Sequence, residues 1–316
     1  MSSFVGVILA AGKGARMLPV TARWPKAVLP IMGKTLAHHQ IELLRAAGVR
    51  KVFVVVGHLS AEVVRTLGDR CGDVEIEYVE QVETLGIAHA LGQLEGRVQQ
   101  PFVLCLGDIY FVSSRLRVMM DLYGRDGTVG VLASKVEERP EMIRRNFAIL
   151  ADEEGRVHRV IEKPRSVHNK LKGCGIYLFG PEVFDAIRRT PRTAMRDEYE
   201  ITDTIQIMID DEHRVVHADV IDEDLNLTVP EDLLSINAWE LKRRGLASYF
   251  ASAPIGLDGC HLDRVVGGAG VSLGAGASLR NCVIFDGCRV PAGARLTNAI
   301  VTPDGVFQCH PAEAPP

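Results

Sequence analysis

The sequence lacks the features that would direct it to a membrane or to a nucleic acid. Its formal net charge is −4, and no run of lysines and arginines offers a basic surface to a phosphate backbone. No apolar stretch approaches the roughly 18 residues of a membrane span. The first three residues lead straight into a strand-like run, so no signal peptide is expected. The expected partners therefore include no nucleic acid and no membrane.

Paired cysteines are absent as well. The seven cysteines are scattered, and none forms a C-x-x-C pair. In a chain of 316 residues with 47% hydrophobic composition, they are expected to be small buried side chains in a reducing, cytoplasmic compartment. The length suffices for one large domain or two modest ones.

Two familiar phosphate-binding loops are also missing. A Walker A loop requires Gly-Lys-Ser/Thr, but Lys13 is followed by Gly14. The dinucleotide fingerprint requires a third glycine at the position of Met17. A loop of another kind must therefore be considered.

The first thirty residues contain such a loop. A buried strand pattern, Val7–Ala11, runs into a tight turn at Gly12 and Gly14, and Arg16 and Lys26 follow. The glycines allow backbone N–H groups to approach a phosphate closely, and the two cations can neutralise it. The pattern predicts a loop that cradles a nucleoside triphosphate.

Up to about residue 235 the patterns of strands and helices alternate. This alternation predicts an α/β fold with a doubly wound, mostly parallel sheet. Ligands of such sheets bind at the carboxyl ends of strands, where both the Gly12 turn and Asp108 lie. The predicted strands cover residues 51–56, 74–79, 102–106, 128–134, 146–151, 157–161, 175–179 and 215–220, and the predicted helices cover 35–47, 60–68, 86–94, 181–188, 202–212 and 230–244.

After about residue 250 the sequence is rich in glycine, and a small aliphatic residue recurs. Val265, Val271, Ala277 and Val283 are six residues apart, and the series resumes after a one-residue slip. This period predicts a short hexapeptide-repeat parallel β-helix over residues 251–307. A set of glycine-rich antiparallel hairpins is the alternative. Residues 308–316 are predicted to be a disordered tail.

A longer motif surrounds the first loop. It reads A-G-x-G-x-R-M-x-P-x-T, then P-K-x-x-x-P and G-K, and it resembles the signature of the sugar-phosphate nucleotidylyltransferases. That family includes glucose-1-phosphate thymidylyltransferases and N-acetylglucosamine-1-phosphate uridylyltransferases. The resemblance extends over about residues 4–235. It implies a nucleotidyltransferase domain over residues 1–250 and a left-handed β-helix after it.

The resemblance also implies a reaction and the residues of its nucleotide half. A UMP or dTMP unit passes from UTP or dTTP to a sugar 1-phosphate, with Mg²⁺, and pyrophosphate leaves. Arg16 would stabilise the pyrophosphate, and Lys26 would reach the α-phosphate. Gln81 would pair with N3–H and O4 of uracil or thymine. The remaining nucleotide-binding residues implied are Ala10, Ala11, Gly12, Gly14 and Gly86.

The metal ligands follow from the same resemblance. Asp108 comes directly after a buried strand and matches the family's Gly-Asp, a natural Mg²⁺ ligand. The segment before Pro230 resembles the family's D/N-x-x-T-P-E-D-L, which points to Asn226 as the second ligand, with Asp224 as its rival.

The acceptor half departs further from the family. Glu162 and Lys163 match its E-K-P motif, in which the glutamate binds sugar hydroxyls and the lysine binds the sugar phosphate. Ala148 replaces the usual glycine, and Gly173 stands where acetamido-sugar enzymes have asparagine. Glu198 is a further acceptor-side candidate. These departures weaken the case for N-acetylglucosamine 1-phosphate and leave another sugar phosphate, or a smaller phosphorylated alcohol, open.

Three other functions remain compatible with the sequence. One is a cytidylyltransferase for a non-sugar phosphate or phosphonate, and another is a non-catalytic regulatory paralogue that binds nucleotide sugars. The third is a bifunctional enzyme with acyl transfer in the repeats, although His261 is the only histidine within them. The repeats are more simply expected to serve homo-oligomerisation or allosteric control.

Overall fold

The strands of the chain were located in a computed structural model that describes residues 4–194 and 197–310. They are β1 (Val5–Ala10), β2 (Pro30–Ile31), β3 (Lys34–Thr35), β4 (Lys51–Val56), β5 (Arg70–Cys71), β6 (Val74–Glu80), β7 (Phe102–Leu106), β8 (Ile109–Val112), β9 (Thr128–Val136), β10 (Phe147–Ala151), β11 (Val157–Glu162), β12 (Leu171–Phe179), β13 (Arg214–Asp219), β14 (Glu223–Asn226), β15 (Ser248–Phe250), β16 (His261–Gly267), β17 (Ser272–Leu273), β18 (Ser278–Ile284), β19 (Arg289–Val290), β20 (Arg295–Thr302) and β21 (Gly305–Gln308).

The helices lie between these strands. They are α1 (Leu36–Ala46), α2 (Ser60–Leu67), α3 (Ile87–Gly92), α4 (Arg117–Leu122), α5 (Pro140–Arg145), α6 (Val183–Arg189), α7 (Ile201–Asp210) and α8 (Pro230–Arg243). Within the described ranges, none of them has both the length and the apolar character needed to cross a bilayer.

The chain divides into two compact units. The first consists of the residues up to Gly12 together with Gln40–Asp224, and the second consists of Lys13–His39 together with the residues from Leu225 onward. The division cuts the first loop directly after Gly12. It also differs from the predicted domain boundary at residue 250, because the loop segment belongs to the same unit as the C-terminal strands.

The first unit is built on a mixed sheet with the strand order β11-β10-β12-β7-β1-β4-β6-β5, to which β9 and β13 are added through β12. The neighbouring pairs β7/β1, β1/β4 and β4/β6 are parallel, as predicted. The other half differs from the prediction, because β12 is antiparallel to β7, β9 and β10. β10 and β11 are antiparallel as well, because the short turn at 152–156 joins them and a parallel crossover needs about a dozen residues or more.

The core of the first unit lies between this sheet and the helices on its faces. Phe102, Tyr177 and Phe179 pack together with Phe184 and Ile205 from α6 and α7. Full burial of such a side chain contributes roughly 1.5–3 kcal/mol, so this cluster stabilises the sheet whose edge carries the site.

In the second unit, parallel strands repeat at a constant offset. β15 pairs with β16, β16 with β18 and β18 with β20, and the partners in each pair, such as Val265 and Cys282, are 17 residues apart. β17 and β19 form a separate parallel pair with the same offset. The valines at 265, 271, 283 and 290 are all buried.

The last described residues are ordered by contacts within the second unit. β21 pairs antiparallel with β20 and ends at Gln308, and the backbone N–H of the buried Cys309 donates to the carbonyl of Asn298 at 2.8 Å. The predicted disordered tail therefore does not begin at Gln308. Its remainder, residues 311–316, lies outside the described part of the chain.

Candidate active site

Four strands of the first unit end at the same edge of the sheet. Ala10 of β1 is level with Val56 of β4, and Val56 is level with Glu80 of β6. On the other side of β1, Leu9 is level with Leu106 of β7. The residues that follow these strands are therefore neighbours, as expected for the carboxyl ends of parallel strands.

Two glycines allow the chain segments at this edge to approach closely. A Cβ atom on Gly107 would lie 2.2 Å from the carbonyl oxygen of Leu9, and one on Gly57 would lie 2.9 Å from that of Ala11. The Gly57 position is also 3.1 Å from the carbonyl oxygen of Gln81. Only glycine fits at these contacts. They bring Ala11, Gln81 and the turn that carries Asp108 to one edge of the first unit.

Gly57 was not singled out from the sequence, although a glycine directly after the run Val54-Val55-Val56 is a recognisable signal of close approach at a strand end.

Asp108 lies in the two-residue turn between β7 and β8 and is half-buried. A carboxylate in this turn is accessible to a ligand. The close approach of Gly107 to the carbonyl oxygen of Leu9 fixes the position of the turn.

Gln81 follows β6, and its backbone N–H donates to the carbonyl of Val56 at 2.7 Å. The side chain is almost completely buried, with 3% of its surface exposed, and its Nε2 lies 2.9 Å from Nδ1 of His89 on α3. His89 was quoted within the motif but given no role by sequence reasoning. The structure therefore adds it to the surroundings of the predicted base-binding residue.

The loop of the second unit carries the two predicted cations. Gly14 adopts a left-handed conformation with φ of +63°, and its carbonyl accepts hydrogen bonds from the N–H of Met17 and the hydroxyl of Thr21, both at 2.8 Å. A Cβ at position 14 would lie 3.3 Å from Cε of Lys26, so the lysine stem packs against this glycine. Arg16 is exposed and Lys26 is half-buried.

This loop is supported by the C-terminal part of the second unit. Arg23 forms an ion pair with Asp304. The ring of Trp24 packs edge-on against Phe285, with centroids 5.3 Å apart. The half-buried Trp24 ring and these partners anchor the segment between Arg16 and Lys26.

Three strands of the first unit bring the predicted acceptor residues together. Phe147 and Ala148 of β10 are level with Glu162 and Ile161 of β11, and Phe147 is level with Gly173 of β12. Ala148 and Gly173 are buried, whereas Glu162 is half-buried. The antiparallel register thus places the E-K-P motif beside the two positions that depart from the family pattern.

Packing explains why position 173 is a glycine, and the sequence alone did not reveal this. A Cβ there would lie 1.9 Å from Cζ of Phe147, so the phenylalanine ring fills the space that a side chain at 173 would occupy. The same ring stacks on Tyr177, with centroids 5.9 Å apart. The pair of Phe147 and Gly173 is a complementary packing arrangement, and it leaves no room for an asparagine at 173.

The lysine of the E-K-P motif has an unusual backbone conformation. Lys163 has φ of +42°, which is uncommon for a side-chain-bearing residue, and its N–H donates to the carbonyl of Asn146 at 2.8 Å. Its Nζ lies 3.5 Å from Glu162 and is exposed. Glu198 is also exposed, but its Cβ lies close to Gly86 rather than beside these strands.

A buried ion pair lies next to the acceptor strands. Nζ of Lys172 is 2.7 Å from Oδ1 of Asp224, and both side chains are 1% exposed. Burial acts to lower the pKa of Lys172, but the Asp224 carboxylate outweighs it and the pKa is raised. The charge of Asp224, the rival metal ligand, is therefore committed to Lys172. Asn226, the preferred candidate, ends β14 and is half-buried.

Among residues 4–194 and 197–310, no group of three or more histidine, cysteine, aspartate or glutamate side chains is placed to hold a metal by itself. Mg²⁺ does not require such a group, since it binds through one or two protein oxygens together with substrate phosphates and water. The Asp108 carboxylate, at a strand end of the first unit, is a suitable donor of this kind.

Comparisons with known proteins give the family of this chain. The family model described as nucleotidyl transferase matches residues 5–240. A low-salt glycan biosynthesis nucleotidyltransferase of Haloferax volcanii is 32% identical over 252 residues, which is 77% of this chain and 69% of that protein. A glucose-1-phosphate thymidylyltransferase of Streptomyces griseus is 30% identical over 305 residues, or 94% of this chain and 80% of its own.

A solved structure supports the fold. UDP-glucose pyrophosphorylase in complex with UDP-glucose superposes with a TM-score of 0.68 at 22% identity, and the match covers 77% of this chain and all of that one. The predicted resemblance is confirmed: the chain belongs to the nucleotidyl transferase family, among the sugar-phosphate nucleotidyltransferases.

Proposed function

We propose that this enzyme transfers a uridylyl or thymidylyl group from UTP or dTTP to a sugar 1-phosphate and releases pyrophosphate. The observation that supports this most strongly is the shared sheet edge in the first unit. There a glutamine able to pair with a keto pyrimidine, the start of a phosphate loop and a half-buried carboxylate lie at neighbouring strand ends. The relatives named for glucose 1-phosphate and UDP-glucose support the same class of substrates.

The proposed chemistry needs no nucleophilic side chain. An oxygen of the sugar phosphate attacks the α-phosphorus, a new phosphorus–oxygen bond forms, and the bond between the α- and β-phosphates breaks with its electron pair leaving on pyrophosphate. Lys26 would neutralise the α-phosphate and Arg16 the departing pyrophosphate. Lys163 would reduce the repulsion between the incoming sugar phosphate and the triphosphate.

We propose Asp108 and Asn226 as the protein ligands of Mg²⁺. A carboxylate and an amide oxygen fit the preference of this ion for hard oxygen donors. The commitment of Asp224 to Lys172 favours Asn226 over its rival. When bound, Mg²⁺ would supply neutralisation of the triphosphate charge.

The proposed role of Arg16 predicts that its removal lowers kcat far more than removal of the neighbouring Lys13. Arg16→Ala should lower kcat by about 100-fold, because the leaving group loses a charged donor in the transition state. The matched control is Lys13→Ala, which removes another exposed cation three residues away and should change kcat less than threefold. Steady-state kinetics with saturating acceptor would measure both. Equal losses in the two variants would contradict the assigned role.

A substrate matrix tests the proposed function directly. UTP, dTTP, CTP, ATP and GTP would be combined with several sugar 1-phosphates, and pyrophosphate release would be measured. We expect the highest kcat/KM with UTP or dTTP and with a hexose 1-phosphate that lacks an acetamido group, because Phe147 fills the space beside Gly173. Turnover confined to CTP, or no turnover with any pair, would overturn the proposal.

We further propose that residues 248–302 form a short parallel β-helix. The constant 17-residue offset between successive parallel strands supports this, since each offset corresponds to one coil. Oligomerisation or allosteric control is the role we propose for it.

A further inference from the structure

The turn before α3 is held by the segment around Tyr199. The N–H of Tyr199 donates to the carbonyl of Leu85 at 2.8 Å, and the N–H of Ala88 donates to the carbonyl of Tyr199 at 3.0 Å. Gly86 has φ of +107°, and a Cβ there would lie 2.6 Å from the Tyr199 oxygen. The glycine of this motif is thus required by the tyrosine backbone, which fixes where α3 begins.

The side chain of Tyr199 also contacts α3. Its ring stacks on that of His89, with centroids 6.1 Å apart and an angle of 23° between the planes. Arg192 covers the tyrosine ring at 5.8 Å. Directly after α3, the Gln93 amide nitrogen donates to the backbone carbonyl of His89 at 3.2 Å. The imidazole is therefore restrained by the stacked tyrosine ring.

His89 is the observed partner of the buried Gln81 side chain. The 2.9 Å contact joins Nδ1 of the imidazole to Nε2 of the amide. A neutral imidazole with its proton on Nε2 accepts a hydrogen bond at Nδ1. That bond uses one of the two amide hydrogens of Gln81, so the amide oxygen and the second hydrogen are left for a ligand.

We propose that His89, aligned by Tyr199, is a positioning residue that sets which edge Gln81 presents to the nucleobase. The inference rests on the proposed function, in which Gln81 reads the base. With Nε2 directed to His89, the amide oxygen accepts from N3–H and the second hydrogen donates to O4 of uracil or thymine. Cytosine reverses both groups, with an acceptor at N3 and an amino group at C4, and would require the amide to turn away from His89.

Direct nucleotide binding tests this inference independently of turnover. The dissociation constants of UTP and CTP would be measured by calorimetry, without acceptor, for wild type, His89→Phe and His89→Asn. Phenylalanine keeps a ring for Tyr199 but cannot accept a hydrogen bond, and the ratio of the CTP constant to the UTP constant should fall about tenfold. Asparagine keeps an acceptor near the Nδ1 position and should hold the ratio within about threefold of wild type.

Two further variants serve as controls. His158→Phe makes the same change at an exposed histidine and should leave the ratio unchanged. Tyr199→Leu removes the stacked ring but keeps His89, and it should lower the ratio severalfold even if His89→Phe does not fold. A ratio unchanged in both His89→Phe and Tyr199→Leu, or lowered equally by asparagine and phenylalanine at 89, would overturn the inference. Failure of the proposed function would appear separately, as wild-type enzyme that binds pyrimidine nucleotides without turnover of any sugar phosphate.

Discussion

Replacement of Asp108 by asparagine is expected to lower kcat by about 10³-fold, or about 4 kcal/mol in the activation barrier. The carboxylate would hold the metal that neutralises the triphosphate, and an amide of the same size lacks the charge. The Mg²⁺ concentration that gives half the maximal rate should rise in the same variant. Initial rates across a Mg²⁺ titration would measure both effects.

The matched control is Asp121→Asn, an exposed aspartate of the same unit. It should retain the rate and the Mg²⁺ dependence of wild type. Both variants should unfold at the wild-type temperature, because the altered side chains are not part of the core. An Asp108→Asn enzyme with an unchanged Mg²⁺ requirement would rule out the metal assignment, whatever its kcat.

The second large effect concerns stability. Lys172→Met should lower the free energy of unfolding by roughly 3–5 kcal/mol, because it leaves the Asp224 carboxylate buried without its counter-ion. One oxygen of that carboxylate already has no hydrogen-bond partner among the described residues. The double variant Lys172→Met with Asp224→Leu should recover most of the loss, since an apolar pair avoids the desolvation of both charges. Urea denaturation followed by circular dichroism would measure all three proteins.

Lys135 provides the comparison for that experiment. It pairs with Glu223 at 2.6 Å, but its side chain is 18% exposed and that of Glu223 is 32% exposed. Solvent weakens such a pair, so Lys135→Met should cost no more than about 1 kcal/mol. If the two lysine variants were equally stable, the burial of the Lys172 pair would have no energetic consequence and the prediction would be wrong.

The positions of the proposed nucleotide-binding residues at strand ends were predictable, because the strands follow from local patterns. Apolar runs such as Lys51–Val56 and Phe102–Leu106 match β4 and β7 residue for residue. In parallel strands the carboxyl ends share an edge, so the Gly12 turn and Asp108 could be assigned to one edge from their places in the sequence, whereas Gln81 came from the family resemblance. The glycines at 57 and 107 enforce the approach.

The acceptor half could not be predicted in this way. The strands β9, β10 and β12 are antiparallel, and an apolar run alone does not reveal the direction of its neighbour. The fit of the Phe147 ring over Gly173 depends on that register. The pairing of Lys172 with Asp224 joins residues 52 positions apart and leaves no periodic signal. Likewise, His89 is identified only by its contact with Gln81.

The support of the first loop has a consequence for the order of folding. Arg23 and its partner Asp304 are separated by 281 positions, and Phe285 is similarly distant from Trp24. At a synthesis rate of 5–20 residues per second, the loop emerges from the ribosome roughly 15–60 s before these partners exist. The first unit is complete in sequence at Asp224, so its sheet can pair earlier. The cations of the loop are then among the last parts of the molecule to gain their native support, and a nascent chain can hold a formed sheet before it is a competent enzyme.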